Sequence, residues 1–581
     1  MSARTGSLMH RFRHHLVLWL LLAGFGLLAA RAAQLQLLEH EFLQSKGDVN
    51  YLTVQTSHAN RGMILDRNGE PLAVSSAVDS VVADPKAIFR DGGFDAQTGW
   101  DELAALIDES RESIRERIER NPDSEFAWLK RHLDPERARQ VAELGIAGIT
   151  LRREYKRFYP GGPVFGHVVG FTDTDQNGLG GVEKAFDEQL SGTPGRTRVL
   201  RDGRGRVIEH VEQLAPVVDG EDVRLSIDAR LQYLAFRHLK AAVKKHRADA
   251  ASVVLLDART GEILAMVNEP TINPNTRDRE KLTSSSARNR ALQSIFEPGS
   301  TIKPFTVAAA LASGRFGPDS RIETSPGVIT VGGYPIRDFK DYGLMTVSRI
   351  LIKSSNVGIA KVAMELDPTT FPAHFRDLGF GRATGIPLPG EESGRPPGAG
   401  PLRQRDQASL AYGYGLSTNL LQLARAYTVL AGDGRLLEMR LTPGPAEYGG
   451  RVYPPEVVSQ VRSMLARVIS GDGTGTSARL ADYTAAGKTG TVIKYLVEEG
   501  RYADDQYLSV FAGFAPAENP RLIMAGVLDN PRGEAYYGGQ VSAPVFSRVM
   551  NSALHLLNVP SRPDADKPDL LQARLDGESD T

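Results

Sequence analysis

Cysteine is absent from the 581-residue chain. Disulfides and thiolate metal sites are therefore excluded, and a thiol-free chain suits export unfolded into an oxidising space. An excess of one charge sign is lacking too. Lys and Arg number 69 against 70 Asp and Glu, a net charge of -1, which gives no case for nucleic-acid binding. The 12 histidines are scattered. Neither His-Glu-x-x-His nor Gly-x-Ser-x-Gly occurs, which disfavours a zinc peptidase and an α/β-hydrolase. No internal repeat is visible. What remains is an ordinary folded composition, 41% hydrophobic and 24% charged, over a length that calls for two or more domains.

Only one run is apolar enough to suggest a membrane span. Arg4, Arg11 and Arg13 precede Leu16 to Ala30, and the run extends to Leu38 if Arg31 snorkels toward the headgroups. Positive charge before the run places residues 1–15 in the cytoplasm and the bulk of the chain outside, with 16–38 as a single anchor. A cleaved signal peptide is the competing reading, with Ala30-Arg31-Ala32 as a poor cleavage site. Gln34 to Gly47 has helical periodicity and continues the anchor outward.

Val49 to Val54 reads as a strand, and Asp66-Arg67-Asn68-Gly69 as the tight turn of a hairpin. Trp100 to Asn121 and Pro135 to Leu144 read as charged helices. Asp173, Asp175 and Asn177 sit in a Gly-rich stretch, but the Gly and Glu positions of a calcium loop are wrong, so no metal is expected there. Gly195 to Val211 reads as an exposed hairpin. A boundary falls near Pro216 to Asp228. Beyond it come a helix (Ala229 to Lys245), two strands (Ala251 to Leu256, Glu262 to Asn268), helices around Val347 to Leu366 and Leu420 to Ala431, and late strands at Leu508 to Ala515 and Leu522 to Asp529. This order predicts an α+β fold whose antiparallel sheet is completed by segments far apart in sequence, flanked by helices. The expected domains are a mixed pedestal at 39–222 and a catalytic domain at 223–560, with a polar, disordered tail at 561–581.

The stretch Glu297-Pro-Gly-Ser-Thr-Ile-Lys-Pro-Phe305 carries chemistry. If a helix starts at Ser300, Ser300 and Lys303 share one face. Pro298-Gly299 breaks the preceding chain, and Pro304 falls in the first turn, where its missing N–H is not needed. A serine hydroxyl, an amine in reach and free N–H groups at a helix start are the parts of an acylating enzyme. Ser-x-x-Lys alone is weak, since an exposed pair is ordinarily solvated surface. Two further motifs strengthen it: Ser354-Ser-Asn356, and Lys488-Thr-Gly-Thr491. This trio in this order is the signature of penicillin-binding proteins and class A β-lactamases.

Around the trio the likeness extends further. Arg288-Asn-Arg-Ala291, Phe296-Glu-Pro-Gly-Ser-Thr-Ile-Lys-Pro304, Lys353-Ser-Ser-Asn-Val-Gly358, Tyr412-Gly-Tyr-Gly-Leu416, Tyr537-Gly-Gly-Gln-Val-Ser-Ala-Pro544 and, upstream, Arg61-Gly-x-Ile-x-Asp-Arg-Asn-Gly69 resemble a class B penicillin-binding protein over nearly the whole chain. Phe-Glu-Pro-Gly-Ser resembles the division-specific branch. Val492 departs from that branch, which often has Ala there.

The resemblance implies a D,D-transpeptidase that cross-links peptidoglycan stem peptides at the septum, is acylated by β-lactam antibiotics and needs no cofactor. It implies an inner-membrane protein with a periplasmic catalytic domain, working beside a septal glycosyltransferase and other division proteins. Ser300 would be the nucleophile attacking D-Ala-D-Ala and Lys303 its base. Ser354 would relay the proton, and Asn356 would hold Lys303 and the substrate amide. Lys488, Thr489, Gly490 and Thr491 would bind the substrate, with the backbone N–H groups of Ser300 and Thr491 as oxyanion hole. Lys303 must be neutral to act, and the charge of Lys488 would help keep it so. Structural roles are expected for the two Tyr-Gly motifs, and Arg288 and Asn289 are expected to brace the catalytic helix. A serine β-lactamase or D,D-carboxypeptidase on the same fold, and a non-catalytic sensor or scaffold, are the alternatives. The anchor and the large pedestal argue against the first two, and the intact motifs against the third.

Overall fold

The computed structural model describes residues 5–38, 52–201, 207–276, 280, 282, 284–496 and 499–561. The segment 39–51, where the sequence led us to expect the rest of the outward helix and the start of the Val49 to Val54 strand, lies outside the described residues. So do the tip of the Gly195 to Val211 hairpin and all but the first residue of the expected tail. The chain divides into two units. One contains described residues of Met1–Asn60, Ala77–Glu154 and Gly192–Gly220, the other Arg61–Ser76, Tyr155–Ser191 and Glu221–Thr581.

The first unit begins with α1 (Thr5–Ala33), followed by a π-helical turn at Gln34–Leu38. Within them, Arg13–Gln36 is long and apolar enough to cross a membrane, with mean hydropathy 2.0. Leu16, Trp19, Phe25 and Leu27 are all exposed on it. No other helix among the described residues passes that test. The unit also holds an antiparallel sheet of Leu52–Ser57, Gly195–Arg201 and Val207–Ala215. A small separate core gathers Trp100, Leu103, Ile107, Ile114 and Ile118. The helix expected over Trp100 to Asn121 is in fact two, Trp100–Ile107 and Arg111–Glu119. Asp108 closes the first in the left-handed region, and the Ser110 side chain caps the second by accepting from Ser113 N. Short polar side chains compete with the helical backbone in this way.

In the second unit the turn Asp66 to Gly69 is closed by the Asp66 carboxylate, which accepts from Asn68 N at 2.7 Å and Glu70 N at 2.9 Å. Its other oxygen accepts from Ala229 N at 3.1 Å, at the start of α2 (Ala229–His246). Arg61 is buried. It donates to Glu183 and Asp187 at 2.7 Å each, and Arg157 donates to the second oxygen of Glu183 at 2.7 Å. Each buried charge is thereby paired, which burial demands.

The main elements that follow are β1 (Ala250–Asp257), β2 (Ile263–Glu269), α3 (Lys303–Ala312), α4 (Val347–Lys353), α5 (Asn356–Met364), α6 (Leu420–Ala431), α7 (Pro455–Ser470), β3 (Ala486–Leu496), β4 (Arg501–Ala515), β5 (Leu522–Asp529) and α8 (Ala543–Leu556). The strands form one antiparallel sheet in the order β2-β1-β5-β4-β3. β1 is buried along its whole length, hence its mostly apolar sequence, Ala250-Ala-Ser-Val-Val-Leu-Leu-Asp257. Its alternate residues serve two cores: Val253 and Leu255 pack with α2 and α8, while Val254 and Leu256 pack with α3 and α6. Helix α3 is buried from Lys303 to Leu311. Phe305 lies at its centre, edge-on to Tyr427 at 5.4 Å and to Phe380 at 6.3 Å.

Candidate active site

The nucleophile turn departs from the expected helix in one respect. Gly299–Ile302 is a 3-10 turn, and α3 starts at Lys303. Pro304 explains this. A regular α-helix would need the N–H of residue 304 to reach the Ser300 carbonyl, and proline has none. Lys303 N–H donates to that carbonyl instead. Gly299 has φ +54°, and a Cβ there would stand 2.5 Å from Val492 Cγ2. Val492 is thus the buried side chain that backs the turn. Gly299 N donates to Gly413 O at 3.2 Å, and a Cβ on Gly413 would meet Gly299 O at 2.1 Å. The Tyr412-Gly-Tyr-Gly motif is therefore a turn pressed against the nucleophile loop. Tyr427 OH fixes the other side by donating to Thr301 O at 2.9 Å.

Ser300 is half-buried, whereas Lys303 is wholly buried. Lys303 Nζ donates to Ser354 O at 2.6 Å, Asn356 Oδ1 at 2.7 Å and Ser354 Oγ at 3.2 Å. Both acceptors reach it because the chain breaks between α4 and α5. Ser354 closes α4 in the left-handed region with φ 61°, a conformation that L residues hold only under constraint.

Asp338 supplies much of that constraint. Its Oδ1 accepts from the backbone N–H groups of Asn356 and Val357, and its Oδ2 accepts from Ser355 Oγ at 2.5 Å. A carboxylate on the first N–H groups of α5 satisfies donors that no helical carbonyl can reach. Asp338 was not foreseen. It follows the separate hairpin Val328–Val331 and Tyr334–Arg337, and nothing in its local sequence ties it to Ser354 and Asn356. Asp338→Asn keeps the volume but removes the charge and one acceptor. The expected outcome is roughly a ten-fold or greater loss in β-lactam acylation rate, read by stopped-flow labelling, in a protein with unchanged circular dichroism.

The third motif enters on β3, the edge strand. Gly490 and Val492 pack against the Gly299–Ile302 turn. Lys488 is fully buried and donates to Thr489 O at 3.0 Å and Thr489 Oγ1 at 3.3 Å. A Cβ on Gly490 would lie 3.0 Å from Thr301 Cγ2 and 3.2 Å from Pro298 O, so the strand approaches the nucleophile turn closely only with glycine there. Thr489 Oγ1 bonds Thr474 Oγ1 at 2.8 Å, and Thr491 Oγ1 accepts from Gly538 N at 2.9 Å. Tyr537 in that second Tyr-Gly motif stacks on Tyr536, which stacks on Tyr507, with centroids 4.4 Å and 4.3 Å apart.

Two buried lysines on facing elements shape the electrostatics. Burial pushes Lys303 well below the ordinary lysine range. The charge of Lys488 pushes the same way, and Asp338 opposes them. Burial also pushes Lys488 down to about 7. Burial thus favours the neutral form of both lysines, and on Lys303 the charge of Lys488 adds to that push.

Asn289 is buried, but it does not brace the nucleophile helix. It accepts from Asn268 Nδ2 at 2.9 Å and so ties the short helix Arg290–Gln293 to β2. Arg288 is exposed. Among the described residues no group of three or more His, Asp and Glu is placed to hold a metal ion.

Comparisons with known proteins agree with this architecture. The penicillin binding protein transpeptidase domain matches residues 251–551, and the penicillin-binding protein dimerisation domain residues 56–225. The chain is 38% identical over 544 residues to a probable peptidoglycan D,D-transpeptidase, PenA, of Neisseria meningitidis, covering 93% of this chain and 92% of that one. It is 38% identical over 555 residues to the peptidoglycan D,D-transpeptidase FtsI of Escherichia coli, covering 95% and 93%. Among solved structures, penicillin binding protein 3 of Mycobacterium tuberculosis in complex with aztreonam superposes with a TM-score of 0.66 at 28% identity, covering 88% of this chain and 98% of that one. Its ampicillin complex gives a TM-score of 0.67 at 28% identity, covering 88% and 99%. The chain belongs to the class B penicillin-binding proteins of the FtsI and PenA type.

Proposed function

We propose that this chain is a serine-type peptidoglycan D,D-transpeptidase acylated at Ser300. The observation that carries the reading is the state of Lys303, a buried lysine in the turn after the serine, held by two carbonyl oxygens. In the neutral amine those two acceptors, Ser354 O and Asn356 Oδ1, take the two N–H bonds. The lone pair is left for a hydroxyl, as a general base requires. Ser300 Oγ gives its proton to Lys303 and attacks the carbonyl between the two D-Ala residues. The oxyanion accepts from Ser300 N–H and Thr491 N–H. The C–N bond then breaks, the proton passes from Lys303 through Ser354 Oγ to the leaving D-Ala amine, and an ester remains on Ser300. An amine from a second stem peptide attacks that ester, and the proton path runs in reverse. Lys488, Thr489 and Thr491 bind the carboxylate of the terminal D-Ala.

The apolar helix and the division-type relatives support a single-pass inner-membrane protein. Its catalytic unit works in the periplasm at the septum, beside a glycosyltransferase and other division proteins. Residues 39–222 act as pedestal and 223–560 as transpeptidase domain. The test is to give the enzyme a peptide ending in D-Ala-D-Ala together with an amine acceptor. Release of D-Ala with a new amide bond is expected. Hydrolysis alone makes it a carboxypeptidase, and loss of bound penicillin within seconds makes it a β-lactamase.

Deletion of residues 1–34 is expected to give a soluble protein that still takes fluorescent penicillin, because the second unit has its own core. A truncated protein that is folded by circular dichroism yet takes no label would show that the anchor shapes the site.

A further inference from the structure

The second and third motifs sit on elements far apart in sequence, yet the loop 471–475, which follows α7, touches both. On one side it meets α4, where Arg349 and Lys353 lie four residues apart and share a face. Arg349 Nη2 donates to Asp472 Oδ2 at 3.3 Å. Lys353 Nζ reaches the same oxygen at 2.7 Å and donates to Asp472 O at 2.6 Å. Lys353 directly precedes Ser354, whose carbonyl holds Lys303. On the other side the loop meets β3. Thr474 Oγ1 bonds Thr489 Oγ1 at 2.8 Å, and Thr489 Oγ1 also accepts from Lys488 at 3.3 Å. Only Gly473 separates the residue that grips the cradle of the base from the residue that grips the carboxylate-binding threonine.

The loop is backed on two sides. A Cβ on Gly473 would stand 2.3 Å from Val468 O at the end of α7, and Gly475 N donates to that same oxygen at 3.1 Å. A Cβ on Gly539 would meet Thr474 O at 2.4 Å, so the second Tyr-Gly motif closes over the loop. A shift at Asp472 is thus passed on to Thr474. The clasp itself has little to do for the fold. Asp472 is 58% exposed, and an ion pair with so exposed a member contributes little to stability. Its geometry matters for another reason. Acylation needs the substrate carboxylate and the reacting carbonyl fixed at once, and small errors in that placement are costly in rate.

We propose that Asp472 is a positioning residue for acylation. By holding Lys353 and Arg349 it keeps Thr489, through Thr474, in register with the Ser354 carbonyl that orients Lys303. The proposal rests on the reading of Ser300 as the acylated serine and of Thr489 as a carboxylate binder.

The full chain in detergent micelles is acylated with a fluorescent penicillin and, separately, with the methyl ester of that penicillin, which lacks the carboxylate charge. Wild type is expected to prefer the acid. In Asp472→Ala and in Lys353→Met, acylation by the acid should fall roughly ten-fold, less than the ~100-fold that misplacement by a full ångström can cost. The melting temperature should stay unchanged. The ester should lose less, so the preference for the acid narrows. Asp472→Asn keeps an oxygen for Lys353 and should retain part of the rate. The double variant Asp472→Ala with Lys353→Met should be no slower than the slower single, since two halves of one clasp do not add. Thr474→Val should narrow the preference in the same way. Wild-type rates in both single variants overturn the proposal. So does an equal loss for acid and ester, the mark of a merely structural role, and so do losses that multiply in the double variant. If wild type is labelled at a residue other than Ser300, the reading of the nucleophile fails, and this proposal with it.

Discussion

Ser300→Ala is expected to abolish covalent β-lactam labelling while leaving the fold intact. A β-lactam presents a strained amide in place of D-Ala-D-Ala, and its opened ring remains as an ester on the attacking oxygen. Alanine removes that oxygen and leaves the backbone untouched. The turn is held by Gly413, Tyr427 and Pro304 rather than by the serine side chain. Ser300 is only half-buried, so losing its hydroxyl opens no sizeable cavity. The measurement is intact mass after incubation with penicillin, with circular dichroism as the control. The drug's mass found on another peptide of Ser300→Ala would sink the assignment of the nucleophile.

The second large effect separates the two buried lysines. Lys303 is proposed to work neutral and Lys488 charged. Arginine cannot lose its proton in a protein, so Lys303→Arg should lose acylation by ~10²–10⁴ in rate, the scale of a lost general base. Lys303→Gln removes the base without adding volume and should lose as much. Lys488→Arg keeps a cation and should retain part of the rate. The pH profiles should differ as well. Wild-type acylation rises as Lys303 loses its proton, which burial and Lys488 bring well below the usual lysine range. It falls again as Lys488, held at about 7, loses its own. In Lys488→Arg the second loss cannot occur, so the alkaline decline in kcat/KM should disappear. A Lys303→Arg variant that acylates as fast as Lys488→Arg would show that the roles are wrongly assigned, even with the family membership standing.

Much of this site could be read before any coordinates, because its parts sit in short contiguous motifs. Ser300 and Lys303 share one turn, and Lys488 to Thr491 share one strand. Asp338 escaped because its partners, Ser355, Asn356 and Val357, are reached through a hairpin and not through a motif. The 3-10 start at Gly299 escaped because a proline in a first turn is ordinarily neutral. Here it removes the donor that the Ser300 carbonyl would otherwise use. The break at Asp108 was hidden inside a charged run whose periodicity carries through it. In each case hydrogen bonding decided the geometry, across a hairpin for Asp338 and within a turn for Gly299 and Asp108, and hydrophobic period is silent on it.

The order of strands in the sheet bears on how the chain acquires its shape as it is made. β5 lies in the middle, between β1 and β4, yet it is the last of the five to be made. Asp257 must wait for Leu522 before their strands can pair. Until then the chain holds two unconnected hairpins, β1 with β2 and β3 with β4, each with an open inner edge ready to pair with any other strand. Closing contacts this distant is slow and exposes apolar surface meanwhile. A nascent chain stalled before residue 522 therefore contains all three catalytic motifs and none of the sheet's centre. Such a fragment is expected to be prone to aggregation and unable to take penicillin.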